Sequence, residues 1–362
     1  MASSQFILKE ASRDSARVVL PADIIPVNVT CREGDSGSIS FSNGRSCKGH
    51  CVGCATKRCI LFSKDEFAFA ERFKGFSHDR DLRVCPTDAI SWNNEIGAPR
   101  IDKDKCINCG CCAVRCPVRA IYHKDGAFCV RLFSGGVPYP FARITPPLTP
   151  KYVAIDEAFQ NVSYDGSLVK ENDHVLNMAY AKLIAMLGRY DARIPNLLVR
   201  NLLFQVGVNA INSRCGDVYS RTDILFEFDE KLGVCEVEFN DAMIDTPRDI
   251  IEDVAIYVSR YGYDRREIVP LIVRLQFPNK RSEFWEVLYD IEKVLGIQTR
   301  SLTVGALMML LWNQRKIVRG GLAVLPVVNS SNKSIAADIQ KILCRPPSLG
   351  GGLAYNILEP LK

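Results

Sequence analysis

The 362-residue chain reads as two folded parts of different class: a cysteine-rich N-terminal domain, then an α/β C-terminal domain built on a mixed sheet. Three observations predict this. Twelve of the 15 cysteines lie between Cys31 and Cys129, in a stretch broken by Gly and Pro. From about residue 175 the texture turns regular, with helix-period and strand-period segments following one another. A proline-rich stretch at 135–152, GGVPYPFARITPPLTPKY, reads as a linker between them. The expected organisation is an extension at 1–30, the cysteine-rich domain at 31–134, the linker at 135–152, the α/β domain at 153–330 and a weakly patterned tail at 331–362.

Apolar residues make up 47% of the chain and charged residues 24%, a globular composition. No run reaches the ~18 apolar residues of a membrane helix. The opening MASSQFILKEASRD lacks the apolar core of a secretory signal, so a cytoplasmic protein is expected. In a reducing compartment, dense cysteines argue for metal rather than disulfides. Charge is unevenly shared. Residues 1–150 hold 21 basic and 15 acidic side chains, a net +6, whereas residues 151–362 hold 25 and 26, a net −1. Metal centres held by thiolates would lower the net charge of the first half further. That is not a strong nucleic-acid signal.

The regular elements come in a definite order. LNMAYAKLIAMLGRY and NLLVRNLLFQVGVNA carry helical periodicity. RTDILFEF and GVCEVEF, joined by DEKL, read as an antiparallel strand pair. TPRDIIEDVAIYVSRYG reads as a helix with Thr246 as cap, Pro247 in its first turn, and Ile250, Val254, Tyr257 and Val258 as its apolar face. IVPLIVRLQ is a buried strand, SEFWEVLYDIEKVLG a helix, and the apolar run Thr303–Trp312 another buried strand.

The cysteines carry the strongest motif. Cys106, Cys109, Cys112 and Cys116 follow C-x2-C-x2-C-x3-C-P. VCPTDAI at 84–90 and RCPVRAI at 115–121 share C-P-x-x-A-I, an internal repeat. This resembles the bacterial-type two-[4Fe-4S] ferredoxins, which implies a ferredoxin-like α+β fold. In that family each proline-flanked cysteine completes the cluster of the other half. The resemblance therefore implies one cluster on Cys85, Cys106, Cys109 and Cys112, and another on Cys51, Cys54, Cys59 and Cys116. The first half departs from the pattern, with two extra residues before Cys59, so Cys47 is an alternative ligand. The segment LFSKDEFAFAERFKGFSHDRDLR between Cys59 and Cys85 reads as an inserted surface helix. Zinc is the competing reading of the C-x2-C pairs, though it needs neither the repeat nor a third cysteine per half. Cys47, Cys51 and Cys54 also make a C-x3-C-x2-C, as in radical S-adenosylmethionine enzymes, but no repeating strand–helix barrel follows. Cys111 and Cys129 read as packing residues.

The second constellation is acidic. Strand alternation puts Asp223, Leu225 and Glu227 on one face of the first hairpin strand, and Glu236, Glu238 and Asn240 on one face of the second. Ile224, Phe226, Phe228, Cys235, Val237 and Phe239 face the other way. Like charges across a strand pair are destabilising, and a divalent cation would remove that cost. The plainer reading is a solvated face of an amphipathic hairpin. The order of elements, with Asp at the start of one strand and E-x-E on the next, resembles the PD-(D/E)xK (restriction endonuclease-like) nuclease superfamily. That resemblance implies Asp223, Glu236 and Glu238 as catalytic ligands of Mg2+ and DNA or another nucleic acid as partner. Glu238 stands where the family usually has Lys, and the helix at 196–210 lacks the acid many members carry. Arg265, Arg266, Lys280, Arg281, Arg315, Lys316 and Arg319 are candidate phosphate contacts. The expected function is thus an iron–sulfur protein with a magnesium-dependent nuclease domain. The alternative is a ferredoxin-type electron carrier whose C-terminal domain docks a redox partner protein.

Overall fold

The computed structural model describes residues 7–9, 17–19, 39–40, 46–47, 54, 57–95, 97–116, 121–124, 126–130, 143–145, 172–187, 189–191, 193–214, 216, 221–239, 245–313, 315–319, 322–347 and 354–360. Cys31, Cys51, Cys215, Asn240 and most of the expected linker lie outside these. Two compact units emerge, and they are not consecutive in the chain. One holds residues 1–63 and 83–175; the other holds Lys64–Leu82 and Leu176–Lys362.

In the cysteine-rich unit, β1 (Ile7–Lys9), β2 (Arg17–Val19) and β9 (Arg143–Thr145) form one antiparallel sheet, and β3 (Ile39–Ser40) pairs with β4 (Ser46–Cys47). Two further hairpins frame the cysteines: β5 (Ile90–Asn93) with β6 (Ala98–Ile101), and β7 (Ile121–Lys124) with β8 (Ala127–Val130). Each begins on the isoleucine that closes a C-P-x-x-A-I repeat. The sequence repeat is thus also a structural one. Between the hairpins lies the one-turn helix α1 (Cys111–Val114), entered through the left-handed residues Asn108 and Gly110.

The second unit contains α2 (Asn172–Leu187) and α3 (Arg193–Gln205), and centres on a five-stranded sheet in the order β10 (Ala210–Asn212), β11 (Ile224–Phe228), β12 (Lys231–Glu238), β13 (Ile268–Arg274), β14 (Arg300–Thr303). β10–β11–β12 are antiparallel; β12–β13–β14 are parallel. The parallel links require crossovers. They are supplied by α4 (Asp245–Tyr261) and α5 (Phe284–Asp290), the latter continued by a π-helical turn to Leu295. α4 packs on β12 and β13, and α3 packs on β10. α6 (Val304–Trp312), α7 (Ala336–Leu343) and α8 (Ala354–Leu358) follow, with the small pair β15 (Val318–Arg319) and β16 (Leu322–Ala323) after α6.

Several sequence expectations change here. Thr303–Trp312 is a helix rather than a strand. Thr303 Oγ1 caps it by accepting the Ala306 N–H at 3.1 Å. Every residue of α6 is buried, so the run lost its helical period because no face is polar. The helix expected to run to Ala210 stops at Gln205, since Gly207 at φ 93° breaks it and frees Ala210 for the sheet. Thr246 lies inside α4, not at its cap, and its hydroxyl accepts from Arg274. The tail is structured: Ile335, Ile339 and Ile357 are fully buried. The segment between Cys59 and Cys85 forms a 3-10 stretch at Asp65–Phe73, and its 64–82 part belongs to the second unit.

That segment packs by aromatic contact and by strand addition. The Phe67 and Phe69 rings stand 4.6 and 5.6 Å from Phe204 on α3. Phe76 is buried against Tyr257 and Tyr261 of α4. The Asp79 N–H donates to Asn212, and Arg214 donates to the Ser77 carbonyl, so Ser77–Asp79 extends the sheet beyond β10. Arg193 bridges Asp79 at 2.8 Å and Asp81 at 3.0 Å.

Candidate functional site

Two constellations carry chemistry, one in each unit. In the cysteine-rich unit, residues 106–112 wrap a narrow pocket whose free volume is only about 10 Å³. Cys85, Cys106, Cys109 and Cys112 line it, with Ile101 and Phe128 among the apolar walls. Burial is the leading cause that pushes the Cys112 thiol well up, and the charges of Cys106, Cys85, Cys109 and then Cys59 push it further. Cys85 is raised by burial and then by Cys109. So the chain brings the proline-flanked Cys85 back to the Cys106 loop. The Ala89 N–H points at Cys85 Sγ at 3.2 Å. Cys109 is lowered despite full burial: the Cys111 thiol bonds to it, and the N–H groups of residues 109–111 face it. The left-handed Asn108 and Gly110 turn those N–H groups toward the sulfur, a nest suited to an anion. Cys111, read as a packing residue, is fully buried beside the Cys109 sulfur.

The other cysteine set gathers in the same way. Cys59 is pushed well up by burial, then by Cys116 and Cys54; the Arg115 charge opposes this. Arg115 is buried, lies 4.3 Å from the Phe62 ring, and donates to the Arg58 carbonyl at 2.8 Å. It thus fixes the strand of chain that carries Cys59. Cys51 and the Cys47 side chain lie outside the described residues. No three of the described His, Cys, Asp and Glu side chains close around a single metal ion. Cys85, Cys106, Cys109 and Cys112 instead line one common pocket, the arrangement of four thiols that a cubane core takes as ligands. The residues present fit an iron–sulfur group: buried thiols, N–H donors aimed at sulfur, and no carboxylate on the pocket wall.

In the α/β unit the strand register decides the acidic site. Ile224 pairs with Cys235 and Leu225 with Val234, which sets Asp223 opposite Glu236. Asp223 accepts the Val237 N–H at 2.9 Å and the Asn196 side-chain amide at 2.6 Å. Burial still raises its carboxyl to about 6, with Glu238 and Asp249 adding to the rise. Glu236 is pushed to about 10 by burial and then by Asp223 and Asp253. Asp253 on α4 rises to about 7, chiefly by burial. The sequence reading missed Asp253, Asn196 and Arg274. Asp249 and Asp253 were legible as one face of a helix. Arg274, the register neighbour of Glu238 on β13, was hidden because parallel pairing is long-range. The acidic face is not a solvated one: Leu225 is fully buried, and Glu236 and Glu238 are only half-exposed. As they stand, these acids do not close around a single ion.

Residues 99–122 match the family of 4Fe-4S binding domains. The chain is 48% identical over 42 residues to an uncharacterized ferredoxin of Methanocaldococcus jannaschii, covering 12% of this chain and 26% of that protein. It is 48% identical over 44 residues to a protein named Ferredoxin 7Fe of Hydrogenibacillus schlegelii, 12% of this chain and 54% of that one. Over 59 residues it is 42% identical to the polyferredoxin-like subunit of an aliphatic sulfonate oxidoreductase of Pyrococcus furiosus, 16% and 34% of the two chains. The chain thus spans between about a quarter and about half of these relatives. No solved structure matches. Among the described residues no helix is long and apolar enough to cross a membrane. This is an iron–sulfur protein with a ferredoxin-like segment.

Proposed function

We propose that the chain carries two [4Fe-4S] clusters and, in its α/β unit, a Mg2+-dependent site for cleaving nucleic-acid phosphodiesters. Cys85, Cys106, Cys109 and Cys112 hold one cluster. Cys54, Cys59 and Cys116, with Cys51, hold the other. Thiolate ligands fit a reducing compartment such as the cytoplasm. The observation that carries the hydrolytic reading is Asp223 facing Glu236 across β11–β12, with Asp253 beside them. Three neighbouring carboxylates are forced toward protonation there, and a divalent cation would replace those protons. Asp223, Glu236 and Glu238 are its ligands, with Asp253 a further candidate. When bound, the ion supplies charge stabilisation and a water of lowered pKa. Asn196 and the Val237 N–H hold the Asp223 carboxylate in a fixed orientation. The αβββαβ order from α3 to β13 agrees with a restriction endonuclease-like unit.

The test is a plasmid-cleavage assay with magnesium on anaerobically prepared protein. Wild type should cut and Glu236→Ala should not; wild type that cuts no DNA or RNA refutes the reading.

One observation favours a second reading, electron transfer to a redox partner. The Cys59 charge acts on Cys112, so the two cysteine sets lie close enough for an electron to pass between them. A reversible low-potential couple together with no cleavage would select it.

A further inference from the structure

The segment Lys64–Leu82 builds a second feature of the α/β unit. With Ile211 and Arg214 it walls a cleft of about 720 Å³. Lys64, Lys74, Arg80 and Arg214 line it, all exposed, and among the described residues no ion pair engages any of them. The acids on the wall do not balance this charge. Asp79 is already taken by Arg193, which leaves Glu71. Aromatic and apolar faces, Phe67 and Leu82, interleave the cations. A backbone bond links the cleft's edge to the strand that carries Asp223. Ser213, next to Arg214, gives its N–H to the Asp223 carbonyl at 3.0 Å.

We propose that this cleft binds the phosphate backbone of a single nucleic-acid strand, with Lys64, Lys74, Arg80 and Arg214 as its phosphate contacts. This rests on the phosphodiesterase reading and deepens it. Unpaired cations around an aromatic face are what a single strand needs: charge for the backbone and a flat surface for a base. The chain also makes the cleft depend on the iron–sulfur clusters. Its wall begins five residues after Cys59 and ends three before Cys85. The base of the segment is closed in the cysteine-rich unit, where Leu61 bridges Arg83 and Val84 donates to the Ile60 carbonyl. Without the clusters, that base would be held only by the Leu61–Arg83 bridge and the Val84–Ile60 hydrogen bond.

The experiment is fluorescence anisotropy with a labelled single-stranded oligonucleotide. It uses the cluster-loaded protein without divalent cation, so that nothing is cut, across a salt series. Four phosphate contacts predict a slope of log K against log salt of about −3. Lys74→Ala with Arg214→Ala should halve it to about −1.5 and weaken binding at low salt. Protein stripped of iron and sulfide should bind more weakly and recover on reloading. No binding by wild type, or an unchanged slope in the double variant, overturns the assignment. Unchanged binding after stripping overturns its dependence on the clusters. Binding with the expected slope but no cleavage of any DNA or RNA, single-stranded substrates included, sustains the cleft and refutes the carboxylate reading; cleavage with an unchanged slope does the reverse.

Discussion

Replacing Glu236 by glutamine should flatten the pH dependence of the α/β unit's stability. Glu236 sits at about 10 in the folded chain against an ordinary 4.5. Between those values the folded protein keeps a proton that the unfolded chain has released. Its contribution is therefore complete below about pH 4.5 and drains away as pH rises. Each pH unit is worth about 1.4 kcal/mol, so from about pH 5 to about pH 7 the loss is about 3 kcal/mol. Glutamine keeps the shape of the protonated acid and does not titrate. The difference between Glu236→Gln and wild type should thus grow by about 3 kcal/mol in the variant's favour over that range. Urea unfolding read by tryptophan fluorescence measures it, because Trp285 and Trp312 are fully buried in this unit. Magnesium at about 100 times its dissociation constant should stabilise wild type by about 3 kcal/mol and the variant far less. Parallel stability curves for the two proteins, without magnesium, would refute the reasoning. They would mean that Glu236 is not forced to hold a proton by its burial and by Asp223 and Asp253.

Three other outcomes follow from named contacts. Cys85→Ser should remove about half of the iron and inorganic sulfide, counted chemically, because Cys85 completes the pocket of the Cys106 loop; an unchanged count would exclude it as a ligand. Gly233→Ala should cost roughly 3 kcal/mol, since a Cβ there would stand 2.3 Å from the buried Phe226 ring, and thermal unfolding should fall by roughly 10 °C. Phe226→Leu in that background should recover part of the loss. Thr303→Val should cost about 2 kcal/mol in urea unfolding, because it deletes both the cap on Ala306 and the 2.6 Å bond to the Ile357 carbonyl; Thr303→Ser should restore most of it.

The sequence by itself determined the cysteine chemistry, because a C-x2-C-x2-C loop is local: the chain around Cys106 needs no distant partner to turn its sulfurs inward. It also determined the hairpin, whose turn, alternation and short span set Asp223 near Glu236. The tertiary structure alone decided what lay at long range or had lost its period. Thr303–Trp312 could not be told from a strand until its surroundings covered every face. Asp253 joined the acids only when α4 crossed β12, and Arg274 came beside Glu238 only through parallel pairing. The segment between Cys59 and Cys85 shows the limit most plainly. The whole segment reads as an inserted surface helix of the cysteine-rich domain. Phe67 and Phe69 instead pack half-buried on Phe204 of α3 and Phe76 is buried on α4, because apolar rings settle where they lose water, not with the domain that encloses them in the sequence.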